Sequence, residues 1–354
     1  MRSFWGSAFL ISLLLAGCAP SEPKTALETL RVEGRALKSE AGIRLSFPGS
    51  RIRLETVTNN INLEFELENK TPQIVFDIRV NGGAWQQQPM PMSGSFSYDL
   101  TVPGKVNRGF TLDILRRTEA WQGDLVLKTA SSHGGFVDPD PFPNKKLLFI
   151  GDSITAGAGT TSRRNELGEG EAVSNARLAY PRILADRLNA QTHHIAYGGR
   201  GLTRDWQGIK ETNNAPQFYD RILPDNPDYL WDPQNYQADI VSVMLGTNDF
   251  NPGIPDRESW TRTYQDFVTR IRNDYPNAQI FLVSSPMTGG EKGDALKTYV
   301  KAVAESFNSP TVQYLEVSQY YGEAWDAHPT TAEHEKIADE LEPAFRQALG
   351  QKQN

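Results

Sequence analysis

Two rhythms of apolar residues divide the 354-residue chain. From about Arg35 to Thr129 apolar and polar positions alternate. Ile61-Asn62-Leu63-Glu64-Phe65-Glu66-Leu67 and Ile74-Val75-Phe76-Asp77-Ile78-Arg79-Val80 have a period of two, as strands with one buried face do. Asn81-Gly82-Gly83 follows the second run as a turn. Ile43 to Phe47, Phe96 to Leu100, Phe110 to Leu115 and Leu125 to Leu127 are further strand candidates. Short strands, frequent turns and no convincing helix predict an all-β sandwich of the jelly-roll kind.

A Gly-, Pro- and Asp-rich stretch, Ser131 to Asn144, reads as a linker, and the rhythm changes beyond it. Leu147-Leu148-Phe149-Ile150, Asp239 to Leu245 and Gln279 to Val283 are nearly unbroken apolar runs, expected of parallel strands covered on both faces. Helical patterns lie between and after them. Trp260, Tyr264, Phe267, Val268 and Ile271 share one helical face, and Leu296, Tyr299, Val300, Val303 and Phe307 another. This alternation predicts a doubly wound α/β domain. The expected divisions are an N-terminal segment of residues 1–17, a tether over 18–34, a sandwich over 35–138 and an α/β domain over 139–350.

Acidic residues outnumber basic ones by 43 to 36, a net charge of −7. That speaks against nucleic-acid binding and against a polybasic membrane surface. The single cysteine, Cys18, rules out an internal disulfide and a Cys-based metal cage. No metal or organic cofactor is expected. A short basic start and the apolar run Ala8 to Leu15 read as a signal peptide, too short for a stable membrane span. Leu15-Ala16-Gly17-Cys18 at its end resembles the bacterial lipobox, in which the cysteine is lipidated and becomes the mature N-terminus. Cys18 is therefore either discarded with an ordinary signal peptide or a lipid anchor, and its position and neighbours favour the anchor. Ala19 lacks the charge that would suggest inner-membrane retention. The expected location is the bacterial cell envelope, at the outer membrane, on the periplasmic or surface face.

The first apolar strand of the α/β domain runs into Gly151-Asp152-Ser153-Ile154-Thr155-Ala156-Gly157. A turn here exposes its side chains at the carboxyl edge of the sheet, where open α/β sheets bind ligands. A helix beginning there offers free N–H groups, so Ser153 suits a nucleophile whose attack creates an oxyanion. The same serine could merely cap the helix.

Phe149-Ile150-Gly151-Asp152-Ser153-Ile154-Thr155 resembles the first block of the SGNH (GDSL) hydrolases. Three more blocks follow in that family's order. These are His194-Ile195-Ala196-Tyr197-Gly198-Gly199-Arg200-Gly201, Met244-Leu245-Gly246-Thr247-Asn248-Asp249 and Trp325-Asp326-Ala327-His328-Pro329. The resemblance implies Ser153 as nucleophile, His328 as its base and Asp326 as the group orienting the imidazole. It also implies an oxyanion hole made by the Ser153 N–H, the Gly199 N–H and the Asn248 side chain. Gly201 rivals Gly199 for the second donor. Many members place the aspartate three residues before the histidine, which here is Trp325. If Asp326 does not serve, a backbone carbonyl could orient the ring. A sandwich ahead of such a domain, the Asp-x-His-Pro ending and Arg116-Arg117-Thr118-Glu119-Ala120 are similar to carbohydrate esterase family 2. That resemblance implies removal of acetyl groups from polysaccharides such as xylan and mannan.

Aromatic faces suit sugar rings, so Trp206 and Trp231, in loops near the second and third blocks, are candidates for substrate contact or for packing between domains. Arg200 is a further candidate contact or a solvated side chain. Asp152 and Asp249 are expected to brace their turns by hydrogen bonds. His193 and His194, adjacent on a strand, point to opposite faces and read as structural. The polar loop Thr160 to Arg177 is expected to form a cleft wall or lid. Thr330-Thr331-Ala332-Glu333 reads as a capping box that starts a helix beside His328. The leading expectation is a lipid-anchored serine esterase acting on acetylated polysaccharide. The alternatives are the same machinery acting on peptidoglycan O-acetyl groups or small lipid esters, and a non-catalytic carbohydrate-binding envelope lipoprotein.

Overall fold

The computed structural model describes residues 26–69, 74–88, 91, 93–103, 109–161, 174–319 and 327–351. The N-terminal segment, Cys18 and Asp326 lie outside the described residues.

The alternating half forms two antiparallel sheets. One contains Arg31–Glu33, Arg51–Thr56, Thr111–Arg116, Phe76–Val80 and Gln86–Gln87, with Phe136–Val137 added beside Arg51–Thr56. The other contains Leu37–Ser39, Gly42–Leu45, Gly123–Ser131, Asn60–Asn69 and Gly94–Thr101. The alternation decides which side chains point inward. Ile61, Leu63, Phe65 and Leu67 of one sheet meet Ile52, Leu54, Phe76, Ile78, Leu112 and Ile114 of the other in a single dry core.

The tether expected over 18–34 does not extend that far. Ala26–Thr29 is one helical turn, and Arg31–Glu33 pairs with Arg51–Arg53 as an edge strand. Three residues are too few to display a period, so the sequence pattern gave no sign of this strand. The expected linker is also anchored. Phe136–Val137 pairs with Glu55 and Thr56, and Phe142 is buried beneath the Arg51 and Arg53 guanidiniums.

The second half contains one parallel sheet. Its strands are β1 (Lys145–Gly151), β2 (Ala190–Ala196), β3 (Ile240–Met244), β4 (Gln279–Val283) and β5 (Val312–Leu315), in spatial order 2-1-3-4-5. Leu147 and Phe149 face α1 (Tyr180–Arg187) and α4 (Thr331–Ala348). Leu148 and Ile150 face the side packed by α2 (Arg257–Asp274) and α3 (Gly290–Ser306). The apolar face expected on α2 is fully buried there. On α3, Leu296, Val300 and Val303 are buried, while Tyr299 and Phe307 are partly so.

The two halves share a seam. Phe47 and Ala120 of the sandwich join the core under α2 and α3. Glu33 is wholly buried, pairs with Arg51 at 2.6 Å and Arg182 of α1 at 3.0 Å, and accepts the Thr192 N–H at 2.8 Å. Burial alone would raise its pKa. The Arg182 and Arg51 charges and the Thr192 N–H outweigh that and hold the carboxyl below its ordinary range.

Candidate active site

The order 2-1-3 places the reversal of the sheet between β1, β2 and β3, and the crevice opens at their carboxyl ends. The first three sequence blocks leave the sheet at this edge. Gly151 closes β1, and a side chain there would collide with Thr155 Oγ1. Asp152 caps the next turn by accepting the Ile154 N–H at 3.1 Å, and Gly157 closes it in the left-handed region. The helix expected after Ser153 is only this one turn, Ser153–Ala156. Its electrostatic contribution is accordingly the N–H of Ser153 itself, which no helical carbonyl can accept at a first-turn position.

His328 enters from the far end of the chain. Its Nε2 lies 2.8 Å from Ser153 Oγ, and its ring is buried. The helix after it is fixed as expected: Thr330 and Glu333 form a capping box at the start of α4. Thr331 Oγ1 donates to the Thr160 carbonyl at 2.8 Å, tying this turn to the chain after the nucleophile. Ala327 has φ of +58°. The left-handed region costs a non-glycine residue about 1–2 kcal/mol, so the turn that delivers His328 is held against strain.

The second block supplies a distinction that the residue types alone do not. Gly201 donates its N–H to the Arg204 carbonyl at 3.1 Å. Among the described residues, no protein acceptor takes the Gly199 N–H. Gly199 has φ of +75°, a conformation suited to glycine, and its carbonyl accepts the Trp206 N–H at 3.0 Å. In the third block, Asn248 Nδ2 donates to the Arg200 carbonyl at 2.9 Å and lies 3.4 Å from Asp152 Oδ2. Two aspartates brace this loop cluster. Asp249 accepts from the Leu202 and Thr203 N–H groups and from Thr203 Oγ1, at 2.7–2.8 Å. Burial pushes its pKa up, and those donors work against the rise. Burial also pushes Asp152 up to about 7, with the Asp249 charge adding to it and the Ile154 N–H and Thr247 hydroxyl opposing.

The aromatic and basic candidates separate. Trp206 is 53% exposed and stands over Gly199, its Cδ1 3.0 Å from where a Gly199 side chain would begin. Trp231 lies elsewhere. Arg35 of the sandwich covers its ring at 5.0 Å, His193 meets it edge-on at 5.7 Å, and its Nε1 is buried. It therefore packs the seam between domains, because a cation from the sandwich occupies the face a sugar would need. Arg200 turns its guanidinium to Asp205, at 3.6 Å, and over the Tyr197 ring. Only its backbone carbonyl reaches the site. His193 stacks on Tyr236 at 3.5 Å, while His194 meets Phe149 edge-on, so both are structural. Residues 162–173 of the loop expected as a wall or lid lie outside the described residues.

A serine hydroxyl against an imidazole, beside uncommitted N–H groups and a side-chain amide, is an arrangement suited to acyl transfer. Glu119, in sequence only one residue of the Arg116 to Ala120 segment, is a buried carboxyl that borders the second block. Neither its spacing nor its neighbours in sequence signal that placement.

The profile of the GDSL-like Lipase/Acylhydrolase family matches residues 149–337. An acetylxylan esterase / glucomannan deacetylase from Cellvibrio japonicus is 31% identical over 331 residues, covering 90% of this chain and 89% of that protein. The structure of a family two carbohydrate esterase from Cellvibrio japonicus aligns with a TM-score of 0.85 at 29% identity, covering 92% of this chain and 97% of the other. A family two carbohydrate esterase from Clostridium thermocellum, in complex with cellohexaose, aligns with a TM-score of 0.83 at 25% identity, covering 91% and 99%.

Proposed function

Because the chain belongs to the GDSL-like lipase/acylhydrolase family and is a carboxylic ester hydrolase like the family 2 carbohydrate esterases, we propose that it removes O-acetyl groups from a plant-type polysaccharide such as xylan or mannan. The observation that carries the reading is the contact of His328 Nε2 with Ser153 Oγ at 2.8 Å, at the sheet edge that also bears Gly199 and Asn248.

His328 Nε2 takes the Ser153 hydroxyl proton as Oγ attacks the acetyl carbonyl. The carbonyl oxygen becomes an oxyanion, received by the N–H groups of Ser153 and Gly199 and the Asn248 amide. The C–O bond to the sugar breaks, and the imidazolium returns its proton to the departing alkoxide. Water then gives its proton to His328 and attacks the acetyl-serine. Acetate leaves as Ser153 recovers the proton. Asp326 orients the imidazole and stabilises its charged form in this scheme. Trp206 offers an exposed ring beside the oxyanion position, on which a sugar can stack. The names of the relatives support the acetyl and polysaccharide assignment. The sequence Leu15-Ala16-Gly17-Cys18 supports attachment to the bacterial envelope by lipid on Cys18.

The test is acetate release from acetylated xylan and glucomannan, together with hydrolysis of an aryl acetate and an aryl butyrate, by the parent and Ser153→Ala. The reading expects release from polysaccharide, preference for acetate, and loss of both activities in the variant. Turnover of the aryl ester without release from either polysaccharide would remove the carbohydrate assignment and leave the esterase.

A further inference from the structure

The sandwich domain reaches the crevice through the segment Arg116–Gln122, and the segment is bolted in place. The Arg117 carbonyl accepts the Ala176 N–H at 3.0 Å. The buried Arg116 guanidinium donates to the Glu119 carbonyl at 2.6 Å, and the Glu119 N–H donates to Gln122 Oε1 at 2.8 Å. The Glu119 side chain thus has a fixed origin. It is 4% exposed, and its Oε1 accepts from Ser174 Oγ at 2.9 Å. Its Oε2 faces Gly198 so closely that a methyl group on that residue would collide with it, and the same methyl would lie 3.1 Å from Trp121 Nε1.

Gly198 and Gly199 are consecutive glycines, the most conformationally free pair a chain can contain. The hydrolase domain holds this loop at its flanks, by its carbonyls and by a turn bond from the Arg200 N–H to the Tyr197 carbonyl at 3.3 Å, but among the described residues no backbone partner takes the Gly198 carbonyl or the Gly199 N–H at the centre of that turn. The Tyr197 N–H is bound by the Gly151 carbonyl, the Gly199 carbonyl by Trp206 and the Arg200 carbonyl by Asn248. The remaining face of Gly198 rests on Glu119. We propose that Glu119 is a positioning residue lent by the sandwich domain, whose carboxyl fixes the Gly198–Gly199 peptide and so aims the Gly199 N–H at the oxyanion. This rests on the esterase reading above.

The electrostatics suit the role. Burial pushes the Glu119 carboxyl up to about 7, with nearby Asp152 adding to the rise and Ser174 and Trp121 opposing it. A carboxyl so raised is partly protonated at neutral pH, which lessens the negative charge it places beside the developing oxyanion. The charged groups around it are Asp152 on the nucleophile turn and the Arg116 guanidinium at its own backbone carbonyl.

The test uses the full chain and an aryl acetate. Glu119→Ala should lower kcat about 10- to 100-fold, less than outright loss of an oxyanion donor, with KM within about 2-fold. Glu119→Gln, which keeps shape and hydrogen bonding, should restore kcat to within about 3-fold of the parent. Gly198→Ala should lower kcat in the same way. The double variant Glu119→Ala with Gly198→Ala should be no slower than Gly198→Ala alone, because the truncation removes the collision. Additive losses, or Glu119→Ala at the parent kcat, overturn the proposal. If Glu119→Ala does not fold, Glu119→Asp and Glu119→Gln decide it: a kcat loss confined to the shortened Asp side chain supports the role, and equal rates overturn it. Counting active serines with a fluorophosphonate separates slower turnover from fewer folded molecules, and losses explained by fewer sites overturn the role. The parent and Ser153→Ala run alongside. An inactive parent, or a Ser153→Ala variant as fast as the parent, overturns the esterase reading; an active parent with unaffected Glu119 variants overturns only the role of Glu119.

Discussion

Ser153 Oγ and His328 Nε2 stand 2.8 Å apart across 175 positions of sequence, one on the turn after β1 and the other just before α4. Such a contact is useful only if neither partner drifts. Asp152 and Gly157 fix the serine turn, and the Thr330–Glu333 box fixes the helix after the histidine. If they act as the proposed nucleophile and base, Ser153→Ala and His328→Ala should each lower kcat on an aryl acetate by about 10⁴-fold or more. Circular dichroism should be unchanged. A His328→Ala enzyme within 10-fold of the parent would remove the histidine from its assigned role.

In the proposed mechanism Asn248 serves the oxyanion with the amide hydrogen that is directed at Asp152 Oδ2 over 3.4 Å, while the other holds the Arg200 carbonyl. Asn248→Ala removes both functions. The expected loss is about 10²–10³ in kcat, the usual consequence of deleting one oxyanion donor. KM for the aryl acetate should move little, because the interaction strengthens in the transition state. Steady-state kinetics with active-site counting checks this, and a variant affected only in KM would place Asn248 in ground-state binding.

The sequence reveals much of this arrangement because its signals are local. Unbroken apolar runs mark β1, β3 and β4, and a parallel sheet gathers their carboxyl ends at one edge. What the sequence hides depends on which partner the fold brings to each residue, whether it is near or distant along the chain. Gly199 and Gly201 are the same residue type in one cluster, and the Arg204 carbonyl distinguishes them by taking the N–H of Gly201. Trp206 and Trp231 are both loop tryptophans, and Arg35 from the other domain decides which one is covered. Arg31–Glu33 is too short to show a period, yet it carries the carboxylate that joins the domains.

Trp206 is large, apolar and 53% exposed beside Gly199. Little stability is lost when such a side chain is truncated, since most of its surface already meets water. Trp206→Ala should therefore melt within a few degrees of the parent. If the ring stacks on sugar, kcat/KM for acetylated xylan or glucomannan should fall about 10-fold, from about 1 kcal/mol of lost aromatic contact, while the aryl acetate changes far less. Equal losses on both substrates would assign the ring to the acyl site and not to the sugar.

Glu33 gives the clearest expectation for pH. Its carboxylate is wholly buried between Arg51 and Arg182, and its folded pKa lies below the ordinary value. A depressed carboxylate stabilises the fold above its unfolded pKa, near 4.3–4.5, and loses that contribution as pH falls through the folded value. Glu33→Gln takes from two buried guanidiniums their shared buried counter-charge, leaving Arg51 with Asp113 at 3.8 Å and Arg182 with the exposed Asp186 at 3.1 Å, so it should cost about 3 kcal/mol at neutral pH. Urea unfolding of parent and variant from pH 8 down to pH 3 measures the gap between them. The gap should be level from pH 8 to about pH 5 and narrow below that, because the parent alone must protonate this group. A gap as wide at pH 3 as at pH 7 would mean that the cost comes from lost packing at the seam, and that the Glu33 charge contributes nothing to joining the domains.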